Sequence, residues 1–192
     1  MSPAEVATFL KDHVDLFREF QPERLQQLAD SSQVVTLEPG EPIVHIGDEV
    51  HFLGIIEKGR IAATVPTADG MTQLLGHLGL GDTFGEMALM TGDPAVADLI
   101  AEDSARVILL PITIFQSHIM ADPRAVQHIS RTIGDRFRRV LADPAKAATV
   151  MKEEDISKLL DLKGERPECI LGLNCGSSSL KYSVFDTAHP EN

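Results

Sequence analysis

The chain has 192 residues, 43% of them hydrophobic, enough to bury a sizeable core in one domain with an extension. A formal net charge of −12 disfavours nucleic acid, which requires a basic surface, so no nucleic-acid partner is expected. Cys169 and Cys175 are too few for a disulfide framework or a zinc site. With neither a cleavable signal nor a long apolar run, the chain reads as cytoplasmic and without a membrane partner.

In chain order, Val6, Phe9, Leu10, Val14 and Phe17 recur at helical spacing between Ala4 and Phe20. Pro22 opens a second helix through Leu25 and Leu28, so residues 1–32 are expected to be helices packed on a barrel. From Gln33 to Pro111 the pattern turns into short strands separated by turn residues. They fall at Val34–Leu37, Pro42–Ile46, Phe52–Glu57, Arg60–Pro66, Met71–Leu78, Ala95–Ala101 and Arg106–Leu110. Regular short strands with Gly turns predict a sandwich or barrel over residues 33–111, a mainly β fold with flanking α.

Residues 112–142 return to helical period: a short helix over Ile112–Met120, then a long one opened by Pro123. Its Val126, Ile129, Ile133, Phe137 and Val140 form one apolar stripe, which suits packing on the chain's own barrel or pairing with a second copy over residues 124–141. Residues 143–168 read as a linker, broken by Pro144 and carrying one further helix over Met151–Leu162. His13, His45, His51, His77, His118 and His128 show no metal-ligand spacing.

The informative stretch is Gly81–Pro94, in which two Gly-Asp pairs bracket Phe84-Gly85-Glu86-Met87-Ala88-Leu89. Gly81-Asp82 makes a turn, and Gly85 supplies a backbone position free of side chain before a helical turn over Glu86–Met90. Backbone N–H groups there suit an anion, whereas the carboxylate of Glu86 suits hydroxyls such as those of a ribose. A plain structural turn fits the same pattern.

This segment resembles the phosphate-binding cassette of cyclic-nucleotide-binding domains, as in protein kinase A regulatory subunits and catabolite activator proteins. The resemblance follows F-G-E-x-A-L through Pro94 and implies a jelly-roll barrel. It implies cAMP or cGMP as ligand, Gly85, Glu86, Met87 and Ala88 at the cassette turn, and Leu74 and Leu75 lining a base pocket. The family's phosphate-gripping arginine falls on Ala95, beside Val96, and its following Ser/Thr position on Asp98. Alanine cannot replace the forked contact of an arginine, and Asp98 is expected to repel a phosphate if it points there. Arg60, Arg131 and Arg136 are candidate replacement cations or solvated surface residues. No helix-turn-helix comes after the long helix, so a transcription regulator is disfavoured.

Residues 169–192 are of another kind. Cys169–Asp186 reads as strand, Gly-Ser turn, strand, either an ordinary hairpin or one whose hydroxyls and lysine meet a phosphate; no Walker loop is present. Asn174-Cys175-Gly176-Ser177-Ser178-Ser179-Leu180-Lys181-Tyr182 resembles the opening hairpin of acetate kinases and their propionate and butyrate relatives. That resemblance implies Asn174, Ser177, Ser179 and Lys181 near phosphates, and Asn174 near Mg, with Mg and ATP bound only by a full-length kinase. The expectation is a regulatory domain joined to the start of an acetate-kinase-type enzyme, cut short and inactive as a kinase. The alternative is a barrel without ligand, kept for dimerisation or docking.

Overall fold

The computed structural model describes residues 1–150 and the backbone of residues 169–176 and 179–186. Helix α1 (Pro3–His13) starts in a capping box: Ser2 Oγ accepts the Glu5 N–H, and the Glu5 carboxylate accepts the Ser2 N–H. A single turn at Asp15–Phe17 leads to α2 (Pro22–Asp30), whose Pro22 occupies the first turn, where a missing N–H costs nothing.

Eight strands come next: β1 (Gln33–Leu37), β2 (Pro42–Val44), β3 (Phe52–Lys58), β4 (Ile61–Pro66), β5 (Thr72–Leu78), β6 (Thr83–Phe84), β7 (Asp98–Ala101) and β8 (Ala105–Pro111). They pair antiparallel into two four-stranded sheets, ordered β1-β8-β3-β6 and β2-β7-β4-β5. This is the expected jelly roll.

Period-two alternation divides the core. Leu53 and Ile55 on β3, with Ile108 and Leu110 on β8, face a helical layer of Val6, Leu10, Phe17, Leu28, Phe115 and Ile129. Ile56 and Val107, the intervening residues, face Ile61, Leu78, Phe84 and Leu99 in the space between the sheets. Gly54 is required by contact: a Cβ there would lie 2.1 Å from the ring of Phe84, its neighbour on β6.

After β8, α4 (Ile112–Ile114) runs into a π turn at Phe115–Ile119 that buries both of its end residues. Helix α5 (Pro123–Leu141) is capped by Asp122, which accepts the Arg124 and Ala125 N–H groups. The first half of its apolar stripe packs on the chain itself, through Ala125 and Ile129, while Phe137 and Val140 are half-buried.

Three boundaries differ from expectation. Strand β2 stops at Val44, because the next residues turn back at Gly47 (φ +89). Strand β7 begins at Asp98 rather than Ala95, whose N–H and C=O both bond the 47–48 turn instead of a sheet neighbour. Helix α6 (Pro144–Val150) occupies the start of the expected linker, since proline is well tolerated in a helix's first turn. The helix expected over residues 151–162 lies outside the described residues. Strands β9 (Cys169–Gly176) and β10 (Ser179–Asp186) form the expected antiparallel hairpin.

Candidate functional site

The turn after β5 is bolted to the barrel. Gly81 donates to the Ile56 carbonyl at 2.9 Å, and the Ile56 N–H donates to the Asp82 carbonyl at 2.9 Å. Asp82 Oδ2 accepts the Gly79 N–H at 2.8 Å. Gly81 has φ +80, and a Cβ there would sit 2.1 Å from the carbonyl oxygen of His13. Gly85 has φ +85, with the Phe52 carbonyl 2.7 Å from where its Cβ would be. At both positions any other residue would be strained and would force its neighbour to shift. Helix α3 (Glu86–Thr91) lies between Gly85 and Gly92, both left-handed, and leaves Met87 and Ala88 half-buried.

Glu86 is the chemical centre. It is 3% exposed. Its Oε1 meets Arg136 Nη1 of α5 at 2.5 Å, and its Oε2 is buried with no hydrogen-bond partner among the described residues. Desolvation raises the carboxyl above the ordinary glutamate value; the Arg136 guanidinium opposes this in part, and the nearby Asp82 adds to it. An acceptor oxygen held in this state can take a hydrogen bond from a hydroxyl or a water.

Ala95 packs half-buried against the inter-sheet core, its N–H on the Asp48 carbonyl at 2.8 Å and its C=O accepting from Gly47 at 2.7 Å. Val96 is 56% exposed. The expected repulsion from Asp98 is corrected by its bonds: Oδ1 accepts the Ile46 N–H at 2.8 Å and stands 3.4 Å from His45 Nδ1. The carboxylate is held by the β2–β7 corner.

On the other flank, Leu74 and Leu75 are half-buried on β5. A bulge opposite Ala63 and Thr64 leaves Leu75 without a Cα partner on β4, and its carbonyl accepts Lys146 Nζ of α6 at 3.0 Å.

Of the three candidate cations, Arg60 bridges to Glu102 at 3.1 Å, Arg131 is exposed, and Arg136 belongs to the site. The pairing of Arg136 with Glu86 was not foreseen, although Arg136 stands seven residues after Ile129 and so shares its face of the helix. Lys146 had no signal, sitting in a stretch that reads as a linker. In the hairpin, Lys181 lies across from Asn174, and Ser179 across from Gly176, while Ser177 falls outside the described residues. Among the described residues, no group of three or more His, Cys, Asp or Glu comes together to hold a metal.

Residues 34–122 match the family described as the cyclic nucleotide-binding domain. A lysophospholipase NTE1 of Coccidioides immitis is 30% identical over 124 residues, which are 65% of this chain and 8% of that protein. The regulatory domain of Toxoplasma gondii protein kinase A, solved with cAMP, superposes with a TM-score of 0.63 at 22% identity, covering 69% of this chain and 50% of that one. The regulatory subunit of a cAMP-independent protein kinase A from Trypanosoma cruzi, bound to guanosine, superposes with a TM-score of 0.59 at 23% identity, covering 86% and 53%. The chain thus spans about half of each solved relative and a small part of the lysophospholipase. The two antiparallel sheets and the glycine-framed helix α3 agree with that match, and the barrel of this chain has the fold of the cyclic nucleotide-binding domain.

Proposed function

We propose that residues 1–150 form a ligand-sensing regulatory unit whose barrel takes a ribose-bearing ligand and reports its occupancy through helix α5. The observation that carries this reading is Glu86, buried, with one oxygen on Arg136 of α5 and the other open. A sugar hydroxyl donated to Glu86 weakens or reorients its hold on Arg136, so ligand and helix position are coupled through one carboxylate. The ligands named for the Toxoplasma and Trypanosoma cruzi structures, cAMP and guanosine, share a ribose, which is what Glu86 suits. Cyclic nucleotides, cAMP and cGMP among them, are the family's ligand class. No nucleic acid or membrane is a partner in this reading.

The unit regulates a catalytic domain on its C-terminal side. The Asn174–Tyr182 segment supports an acetate-kinase-type phosphotransferase beginning at the β9–β10 hairpin, with Asn174, Ser177, Ser179 and Lys181 on its phosphate side. Mg and ATP enter only with the rest of such an enzyme. The half-buried Phe137 and Val140 support a homodimer through the later turns of α5. A ligand-free docking module is the second reading, favoured by Ala95, which brings no cation to the cassette.

Hydrogen exchange tests the sensor reading. Added ribose-bearing ligand is expected to change protection at α3 and along α5 around Arg136. Unchanged exchange at both, under saturating cAMP, cGMP and guanosine, moves the domain to the docking reading.

A further inference from the structure

We propose that the barrel takes an uncharged ribonucleoside, held by its vicinal hydroxyls on Glu86, in preference to a nucleotide carrying a phosphate. This rests on the reading of the domain as a ribose-directed sensor and specifies its ligand.

Charge decides the class. From Ile61 to Ala105, the span of β4, β5, β6, α3 and β7, there is no lysine or arginine. The same span carries seven acids: Asp69, Asp82, Glu86, Asp93, Asp98, Glu102 and Asp103. Two cations reach it from the later helices, and both are engaged, Arg136 on Glu86 and Lys146 on the Leu75 carbonyl. Moving Arg136 to a phosphate would strip a carboxylate that is 3% exposed of its counter-charge, replacing one unpaired buried anion by another. Ala95 offers the phosphate nothing, because its N–H and C=O are taken by the 47–48 turn and its side chain is a methyl. An anion placed beside α3 therefore meets the Glu86 carboxylate, with Asp82 near it, and each cation that the described residues bring there is already paired.

A neutral diol meets none of these costs. Glu86 Oε2 has no hydrogen-bond partner among the described residues, and a 2′,3′-diol supplies two O–H donors where a 3′,5′-cyclic phosphate leaves only the 2′-hydroxyl. Strand β5 carries the two leucines expected to line a base pocket. Leu74 and Leu75 are half-buried, and at the adjoining Gly76 a Cβ would meet nothing within 4 Å, so the strand is open at that point.

The experiment is calorimetric titration of the folded chain with adenosine and guanosine, their 2′-deoxy forms, cAMP and cGMP. A ribonucleoside is expected to bind about tenfold or more tightly than its cyclic phosphate, and the 2′-deoxy form about tenfold more weakly than its parent. Glu86→Gln, confirmed folded by circular dichroism, is expected to lose a similar factor; should it fail to fold, the deoxynucleosides carry the same test on the unaltered chain. Tighter binding of cAMP or cGMP than of the nucleosides overturns the proposal and leaves the sensor reading standing. Equal binding of ribo- and deoxynucleosides also overturns it, since Glu86 would then not hold the sugar. If the folded protein binds none of the six, this proposal and the sensor reading both fall.

Discussion

Asp98 Oδ1 accepts the backbone N–H of Ile46 at 2.8 Å across 52 residues of sequence. The bond ties the start of β7 to the turn after β2, where Asp48 also accepts the His45 N–H. Asp98→Ala removes a charge-assisted bond from a partly exposed corner and is expected to cost about 0.5–1.5 kcal/mol. Urea unfolding reads this directly, and an unchanged midpoint would show the bond to be ornamental.

Because Asp98 is committed to that corner, restoring a phosphate grip needs one substitution. Ala95→Arg is expected to gain about ten- to a hundredfold in cAMP or cGMP affinity, through a forked, charge-assisted contact beside α3. Changing Asp98 to Thr as well should add little affinity and subtract stability. A folded Ala95→Arg protein indifferent to both cyclic nucleotides would mean that position 95 does not face the ligand.

The raised carboxyl of Glu86 makes a pH prediction of definite sign. Burial lifts the folded-state value above the unfolded one, near 4.5, so the contribution of Glu86 to stability is fully present below that value. It is lost as pH climbs through the folded value. Glu86→Gln keeps a partner for Arg136 and does not ionise, so its stability relative to the unaltered chain should improve from pH 4.5 towards neutrality. Paired denaturant melts across that range check the trend; the opposite slope would place the ionised carboxylate as a net stabiliser, with Arg136 outweighing desolvation.

Gly81 and Gly92 separate two costs that glycine usually combines. Both have positive φ, +80 and +76, yet a Cβ at Gly81 meets the His13 carbonyl at 2.1 Å while one at Gly92 meets nothing within 4 Å. Gly92→Ala should cost about 1–2 kcal/mol from backbone strain alone. Gly81→Ala should cost more, about 3–5 kcal/mol, because α1 must also move off the turn. Thermal melting of the two variants distinguishes these, and equal losses would show that α1 yields freely.

Local pattern carried much of the fold. Each strand expected between Gln33 and Pro111 is present, because alternation and glycine turns act over a few residues. The two-residue β6 escaped notice because Thr83 and Phe84 are too short a run to show alternation, and their place is set by Gly54 beneath the Phe84 ring. At the site, Gly85 and Glu86 were legible because their roles are backbone freedom and charge. Arg136 was legible as a candidate cation but not as the partner of Glu86, and Lys146 was not legible at all, since each acts across 50 or more residues, from helices whose faces are fixed only by packing. Asp98 misled for the same reason: sequence gives its charge but not the Ile46 N–H that claims it.

Strand β5 lies at the margin of its sheet, with β4 on one side only. A row of unpaired carbonyls and N–H groups at such a margin is a template on which another strand can grow. Here the bulge at Leu75 breaks the repeat of that row, and Lys146 of α6 stoppers the carbonyl left over. An incoming strand would have to evict an ammonium group and then match an interrupted spacing. The lysine that folds the departing chain back onto the barrel thus also guards the molecule against edge-to-edge assembly.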